Sequence, residues 1–252
     1  MPRAPFTFLL LGLSALPTRA APQDGLQIAS VTLSQSSVIG GTTVTVIVTL
    51  SQNAGSGGAS VKLLSSNTAI ATAPQSVVEL QPGTRTASFV VQTKPVAANP
   101  NVVTDPPFVD ITAGGSEPRG PPHTPPRLLP SKSVRLIVLP PSLASLTLSP
   151  SSVSGGTAAT ASVQLTGPAP VGGITIALTS KLTGAAPARR PMSPGSLRSF
   201  VVSVPAQVTV PAGATSSTFQ VTTRRVTAAT PALVTASYGA FNTKNAALTI
   251  TP

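Results

Sequence analysis

Leu146-Thr147-Leu148-Ser149-Pro150-Ser151-Ser152-Val153-Ser154-Gly155-Gly156-Thr157 is the stretch on which the fold turns. Its opening alternates apolar and hydroxyl side chains with the period of a strand, and it ends in a glycine pair followed by threonine. The same design stands 115 positions earlier (Val31 against Leu146), as Val31-Thr32-Leu33-Ser34 and then Gly40-Gly41-Thr42. Further on, Gly83-Thr84-Arg85-Thr86-Ala87-Ser88-Phe89 returns as Gly213-Ala214-Thr215-Ser216-Ser217-Thr218-Phe219. Self-similarity at so long a period marks a duplicated supersecondary unit, so the chain reads as tandem modules.

Short alternating segments follow these anchors. In the first module they are Thr43 to Leu50, Ser60 to Leu63, Ala87 to Val91, Val109 to Thr112 and Ser133 to Val138. The second offers Leu146 to Leu148, Ala161 to Leu165, Ile174 to Leu178, Gln207 to Val210, Thr218 to Thr222, Ala232 to Ala236 and Ala247 to Ile250. The composition agrees: charge is 8% and aromatics 3%, and the Val, Thr and Ile that remain pack well on pleated surfaces but poorly in helices. About seven strands per module, one face apolar and one polar, predicts an all-β fold of two tandem immunoglobulin-like β-sandwiches. Gly40-Gly41 and Gly155-Gly156 precede the second strand of each module, where positive φ is needed, and Pro82-Gly83 and Pro211-Ala212-Gly213 mark turns.

The boundaries follow. Residues 1–21 read as a signal peptide, with Arg3 as the positive region, Phe6 to Leu16 as the apolar run and Thr18-Arg19-Ala20 as the cleavage site. The first sandwich spans 24–139, Pro140-Pro141 form a short semi-rigid linker, and the second sandwich spans 142–252. The apolar run of 11 residues falls short of the roughly 20 a membrane-crossing helix needs, so the mature chain is expected to be exported without a transmembrane segment. With no cysteine, the modules have no disulfides and no site for the lipid of a bacterial lipoprotein. An extracellular, cell-surface or periplasmic location is the expectation.

The copies differ in two insertions. Setting Gly58 against Gly172 gives an offset of 114, which rises to 130 at Phe89 and Phe219 and falls to 112 at Lys132 and Lys244. The second copy thus carries 16 extra residues near Leu182 to Ser199, with Arg189, Arg190 and Arg198 among them. The first carries 18 extra after Phe89, most of them in a proline-rich loop, Ser116 to Pro130, that holds His123. Both insertions are expected at the surface, where backbone is solvated.

The run from Leu146 to Thr157 resembles the start of a bacterial Ig-like repeat. So do Val208-Thr209-Val210-Pro211-Ala212-Gly213-Ala214 and Leu233-Val234-Thr235-Ala236-Ser237-Tyr238-Gly239. The first copy departs from the pattern at Ala113-Gly114-Gly115, where the family has an aromatic before glycine. The resemblance covers nearly all of the mature chain and implies secreted or cell-surface modules that act as spacers, stalks or adhesive units.

Catalysis has few means here. His123, the only histidine, lies among prolines, a poor mount for a Ser-His-Asp arrangement, with Asp105 and Asp110 its nearest carboxylates in sequence. The five acidic residues, Asp24, Glu79, Asp105, Asp110 and Glu117, form no close pair on one predicted strand and no calcium-type cluster. Zinc and iron–sulfur sites lack ligands. No catalytic residue, metal or cofactor is expected.

Charge is the feature left over. No acidic residue follows Glu117, while Lys and Arg continue to the end. Arg189-Arg190 and Arg224-Arg225 form doublets, and with Arg198 they make the candidate contact for an anionic partner. The plainer reading is a surface kept soluble by arginine. Nucleic acid is not expected, since stacking aromatics are scarce. The sequence thus predicts a secreted non-enzymatic structural or adhesive protein at the cell envelope, its partner a protein or an anionic polysaccharide. The alternative is a module binding anionic glycan or lipopolysaccharide through the basic second domain. A third is recruitment of a partner strand by an unpaired sheet edge.

Overall fold

Alternating β-branched and hydroxyl residues put one side chain in and the next out, and the chain folds along that pattern. In Thr43–Leu50 the four residues Val44, Val46, Val48 and Leu50 are buried, while Thr43, Thr45, Ile47 and Thr49 face outward. The computed structural model describes residues 25–98, 106–118, 125–183, 201–239 and 242–252. Every regular element among them is a strand.

The first nine are β1 (Ile28–Leu33), β2 (Ser37–Ile39), β3 (Thr43–Leu50), β4 (Ala59–Ser65), β5 (Ala71–Thr72), β6 (Val78–Leu80), β7 (Thr86–Thr93), β8 (Phe108–Glu117) and β9 (Arg127–Leu139). The next nine are β10 (Leu143–Ser149), β11 (Ser152–Ser154), β12 (Ala158–Leu165), β13 (Ile174–Leu182), β14 (Val202–Ser203), β15 (Gln207–Val210), β16 (Ser216–Thr223), β17 (Thr230–Tyr238) and β18 (Asn242–Thr251). They form two four-stranded sheets, β1-β3-β7-β5 and β10-β12-β16-β14, and two five-stranded sheets, β2-β9-β8-β4-β6 and β11-β18-β17-β13-β15. Adding nine to each label of one pair gives the other pair.

The first pair of sheets shares a core that includes Val46, Val48, Val61, Phe89, Ile111 and Leu136. The second pair encloses Val163, Ile176, Phe219, Val234 and Ile250. The architecture is a β-sandwich, built of nine strands per unit rather than about seven. The extra strands are too short to show a period. β2 and β11 arise where the chain leaves the four-stranded sheet and pairs in parallel with the last strand of the five-stranded one, Val38 beside Val138 and Val153 beside Ile250. The glycine pairs therefore precede the third strand of each unit. Gly41 and Gly156 take φ of 96° and 98°, while Gly40 and Gly155 lie against the Lys94 and Arg224 carbonyls with no room for a Cβ.

Strand register corrects two expectations about the copies. Gly58 and Gly173, with φ of 73° and 74°, occupy matching places, since a Cβ on either would press on the carbonyl of Leu80 or Val210. The offset there is 115, and the second copy's excess before Phe219 is 15 residues, not 16. The proline-rich insertion is also only partly loop. Ser116 and Glu117 end β8, Arg127 to Pro130 begin β9, and Glu117 pairs with Arg127 across an extended hairpin. A one-residue register shift between Ala113 and Gly115 places Pro130 and Ser131 in a bulge. A bulge can hold proline because it needs no ladder N–H there. Likewise Leu182 ends β13 rather than beginning a loop. His123 lies outside the described residues.

Candidate interaction surface

On the outer face of β2-β9-β8-β4-β6 the two copies differ in charge and in exposed apolar side chains. Asp110 and Arg135 are register partners on β8 and β9, and Phe108 stands two residues along β8 on the same face. The Arg135 guanidinium bridges them. Its Nε lies 3.1 Å from Asp110 Oδ1 and its Nη2 3.5 Å from Oδ2, while Cζ sits 3.9 Å above the Phe108 ring centroid. One cation thus holds a carboxylate and an aromatic face together, a geometry that a planar guanidinium favours.

Along the same face, Thr112 and Ser133 hydroxyls meet at 2.8 Å, as do those of Ser60 and Ser116. Between these two rows Lys62 is paired with Gly114, and a Cβ on Gly114 would meet no atom within 4 Å. The bare glycine leaves an open floor. Ser60, Lys62, Val77, Gly115, Ser116 and Leu128 line a trough of about 200 Å³ here. Its walls are apolar and open to water: Leu128 is 77% exposed, Val77 49% and neighbouring Leu64 55%. An apolar cluster rimmed by Lys62 and serine hydroxyls, on the same sheet face as the Arg135 group, has the make-up of a contact surface.

The second unit has the frame without this equipment. By register, Pro231 stands for Phe108, Leu233 for Asp110, Ala247 for Arg135, Ala177 for Lys62 and Thr179 for Leu64. Its outer face is mostly hydroxyl and alanine, with Thr235 bonded to Asn245 at 2.7 Å.

Of the arginines singled out by sequence, Arg189, Arg190 and Arg198 lie outside the described residues. Arg224 and Arg225 follow β16 and are exposed. Their backbone packs on Gly155, and the Arg224 N–H donates to the Val201 carbonyl at 2.9 Å. Sequence reasoning missed the Phe108–Arg135–Asp110 group. Each residue was legible as an outward position of an alternating strand, but which outward positions meet depends on register. Among the described residues, no group of three or more acidic or metal-ligating side chains is placed to hold a metal. No helix among them is long and apolar enough to cross a membrane, which says nothing of strand-built barrels. Burial pushes the phenol of Tyr238 above its ordinary pKa.

No protein-family model and no curated protein matches the chain. Among solved structures it is similar to a glycosyl hydrolase family 2 member from Bacteroides cellulosilyticus, at a TM-score of 0.32 and 11% identity, covering 84% of this chain and 23% of that one. It is also similar to a protein of unknown function from Porphyromonas gingivalis W83, at 0.29 and 11%, covering 90% and 99%. A third is red sea bream transglutaminase, at 0.30 and 13%, covering 88% and 31%. The chain spans about a quarter of the hydrolase and a third of the transglutaminase. Likeness this remote carries nothing about chemistry.

Proposed function

We propose that the chain is an exported, non-enzymatic protein of two tandem immunoglobulin-like sandwiches, in which the second unit is a spacer and the first presents a contact face to a partner at the cell envelope. The observation that carries this reading is the contrast between matched positions. On one frame the chain places Phe108, Asp110, Arg135, Lys62 and Leu64, and on the other Pro231, Leu233, Ala247, Ala177 and Thr179. Packing does not require the difference, since all these side chains point away from the cores. Exposed apolar residues beside a clamped arginine match the aromatic and arginine enrichment of protein interfaces.

The test is a pull-down of the full chain against its own cell envelope at low and high salt, beside a Phe108→Ser/Leu128→Ser variant. The wild type is expected to keep a partner at high salt and the variant to lose it. A partner held equally by both would refute the contact face. One observation favours the alternative of anionic-glycan binding: Arg224 and Arg225 are adjacent and exposed in a unit whose described residues include no acid. On that reading, salt-sensitive retention on heparin disappears in Arg224→Ala/Arg225→Ala.

A further inference from the structure

We propose that an interlock joins the two units into one stiff body, so that the second serves as a strut and not as a tether, whichever partner the first unit meets. Both residues flanking Pro140-Pro141 are pinned. On one side the Gly40 N–H donates to the Leu139 carbonyl at 3.0 Å. On the other, the Ser142 N–H donates to the Thr166 hydroxyl at 2.8 Å, and the Ser142 carbonyl accepts from the Thr166 N–H at 2.9 Å. Between the pins the two proline rings fix φ and steer Leu139 and Pro140 towards extended conformations.

The loops that hold these pins also meet each other. Ile39 and Gly41 flank Gly40, and Gly167 and Pro168 follow Thr166. A Cβ on Gly167 would stand 2.5 Å from Ile39 Cγ2, and one on Gly41 would stand 2.4 Å from Pro168 Cγ. Each side chain thus fills the space that the opposing glycine leaves empty. Rolling one unit about the linker would part these contacts or drive side chain into backbone.

The duplicated frame shows that the cover comes from the other unit. Gln52 and Asn53 stand where Gly167 and Pro168 do: Leu50 and Leu165 end matching strands, and the Ala54 and Ala169 N–H groups donate to the matching Thr84 and Ala214 carbonyls. Gln52 and Asn53 are exposed, whereas Gly167 is buried and Pro168 half-buried. At the opposite end Gly155 is half-buried and Gly156 exposed, whereas the matching Gly40 is buried and Gly41 half-buried. There Ser154 replaces Ile39, and Arg225 lies beside Gly156 where Pro95 lies beside Gly41. The apolar parts of the interlock therefore belong to this one joint.

The chain has no cysteine, so Ser88→Cys/Thr218→Cys puts one spin label on each unit, at the register partners of Ile47 and Ser162. Double electron–electron resonance on the frozen full chain is expected to give one narrow distance peak. Gly167→Gln/Pro168→Asn, which writes the first unit's own loop into the second, is expected to widen the distribution about twofold, because a proline pair alone is only semi-rigid. Ile39→Ser, which takes the residue of the matching position, should widen it likewise. Gln52→Gly/Asn53→Pro alters the matching loop away from the joint and should leave the peak unchanged. Circular dichroism checks that each variant is folded. The proposal is overturned if the labelled chain without these changes already gives a broad distribution. It is equally overturned if the joint variants leave both centre and width in place, or if the far loop alters them as much.

Discussion

Four glycines of the first unit separate the two reasons a chain uses glycine, and substituting each by alanine measures both. Gly114 has no positive φ, and no atom lies within 4 Å of where a Cβ would stand, so it needs neither freedom nor space. Gly83 has φ of 82° with open space around it. Gly40 has no positive φ, but a Cβ would land on the Lys94 carbonyl and stand 3.0 Å from Pro95 Cα and Val96 N. Gly58 combines φ of 73° with the Leu80 carbonyl oxygen 2.6 Å from a Cβ. Gly114→Ala is expected to stabilise by about 0.4–1 kcal/mol, through the entropy of the unfolded chain. Gly83→Ala costs about 1–2 kcal/mol of left-handed strain. Gly40→Ala costs about 1–3 kcal/mol of overpacking, because every obstructing atom is backbone. In Gly58→Ala the two terms combine to about 2–5 kcal/mol. Guanidinium unfolding followed by circular dichroism gives the four values. The reasoning is refuted if Gly40→Ala is neutral, or if Gly58→Ala costs no more than Gly83→Ala. Fluorescence of Tyr238, the only tyrosine of a chain without tryptophan, reports the second core and should not move.

Arg135 and Leu136 are adjacent but differ in what they support. Arg135→Ala, at a pair whose side chains are 59% and 37% exposed, is expected to cost under about 1 kcal/mol. Leu136→Ala, fully buried, should cost about 2–5 kcal/mol; comparable losses in urea unfolding would contradict the assignment of faces. Burial raises the Tyr238 pKa above 10.0, so the unfolded state gives up its proton at lower pH than the folded one. Deprotonation therefore favours unfolding: below the unfolded pKa it has no effect, and above it the stability declines as pH rises towards and through the folded value. Absorbance at the phenolate band should show a midpoint above that of the unfolded chain, and Tyr238→Phe should remove this part of the alkaline loss.

The all-β character and the matching anchors are written in the sequence, because a two-residue period and glycine–proline punctuation are local properties. Thr43 to Leu50 shows its inner and outer faces in any eight-residue window, and Gly83 and Gly213 show their turns beside Pro82 and Pro211. The arginine doublets stand out for the same reason, since clustered charge is visible along a chain. What tertiary structure decided was partnership. Phe108, Asp110 and Arg135 form one group only because β8 and β9 pair in one register, and a shift of one residue would send Arg135 into the core. The short β2, β5 and β6 exist because a neighbouring strand offers free backbone groups, not because two or three residues carry a pattern.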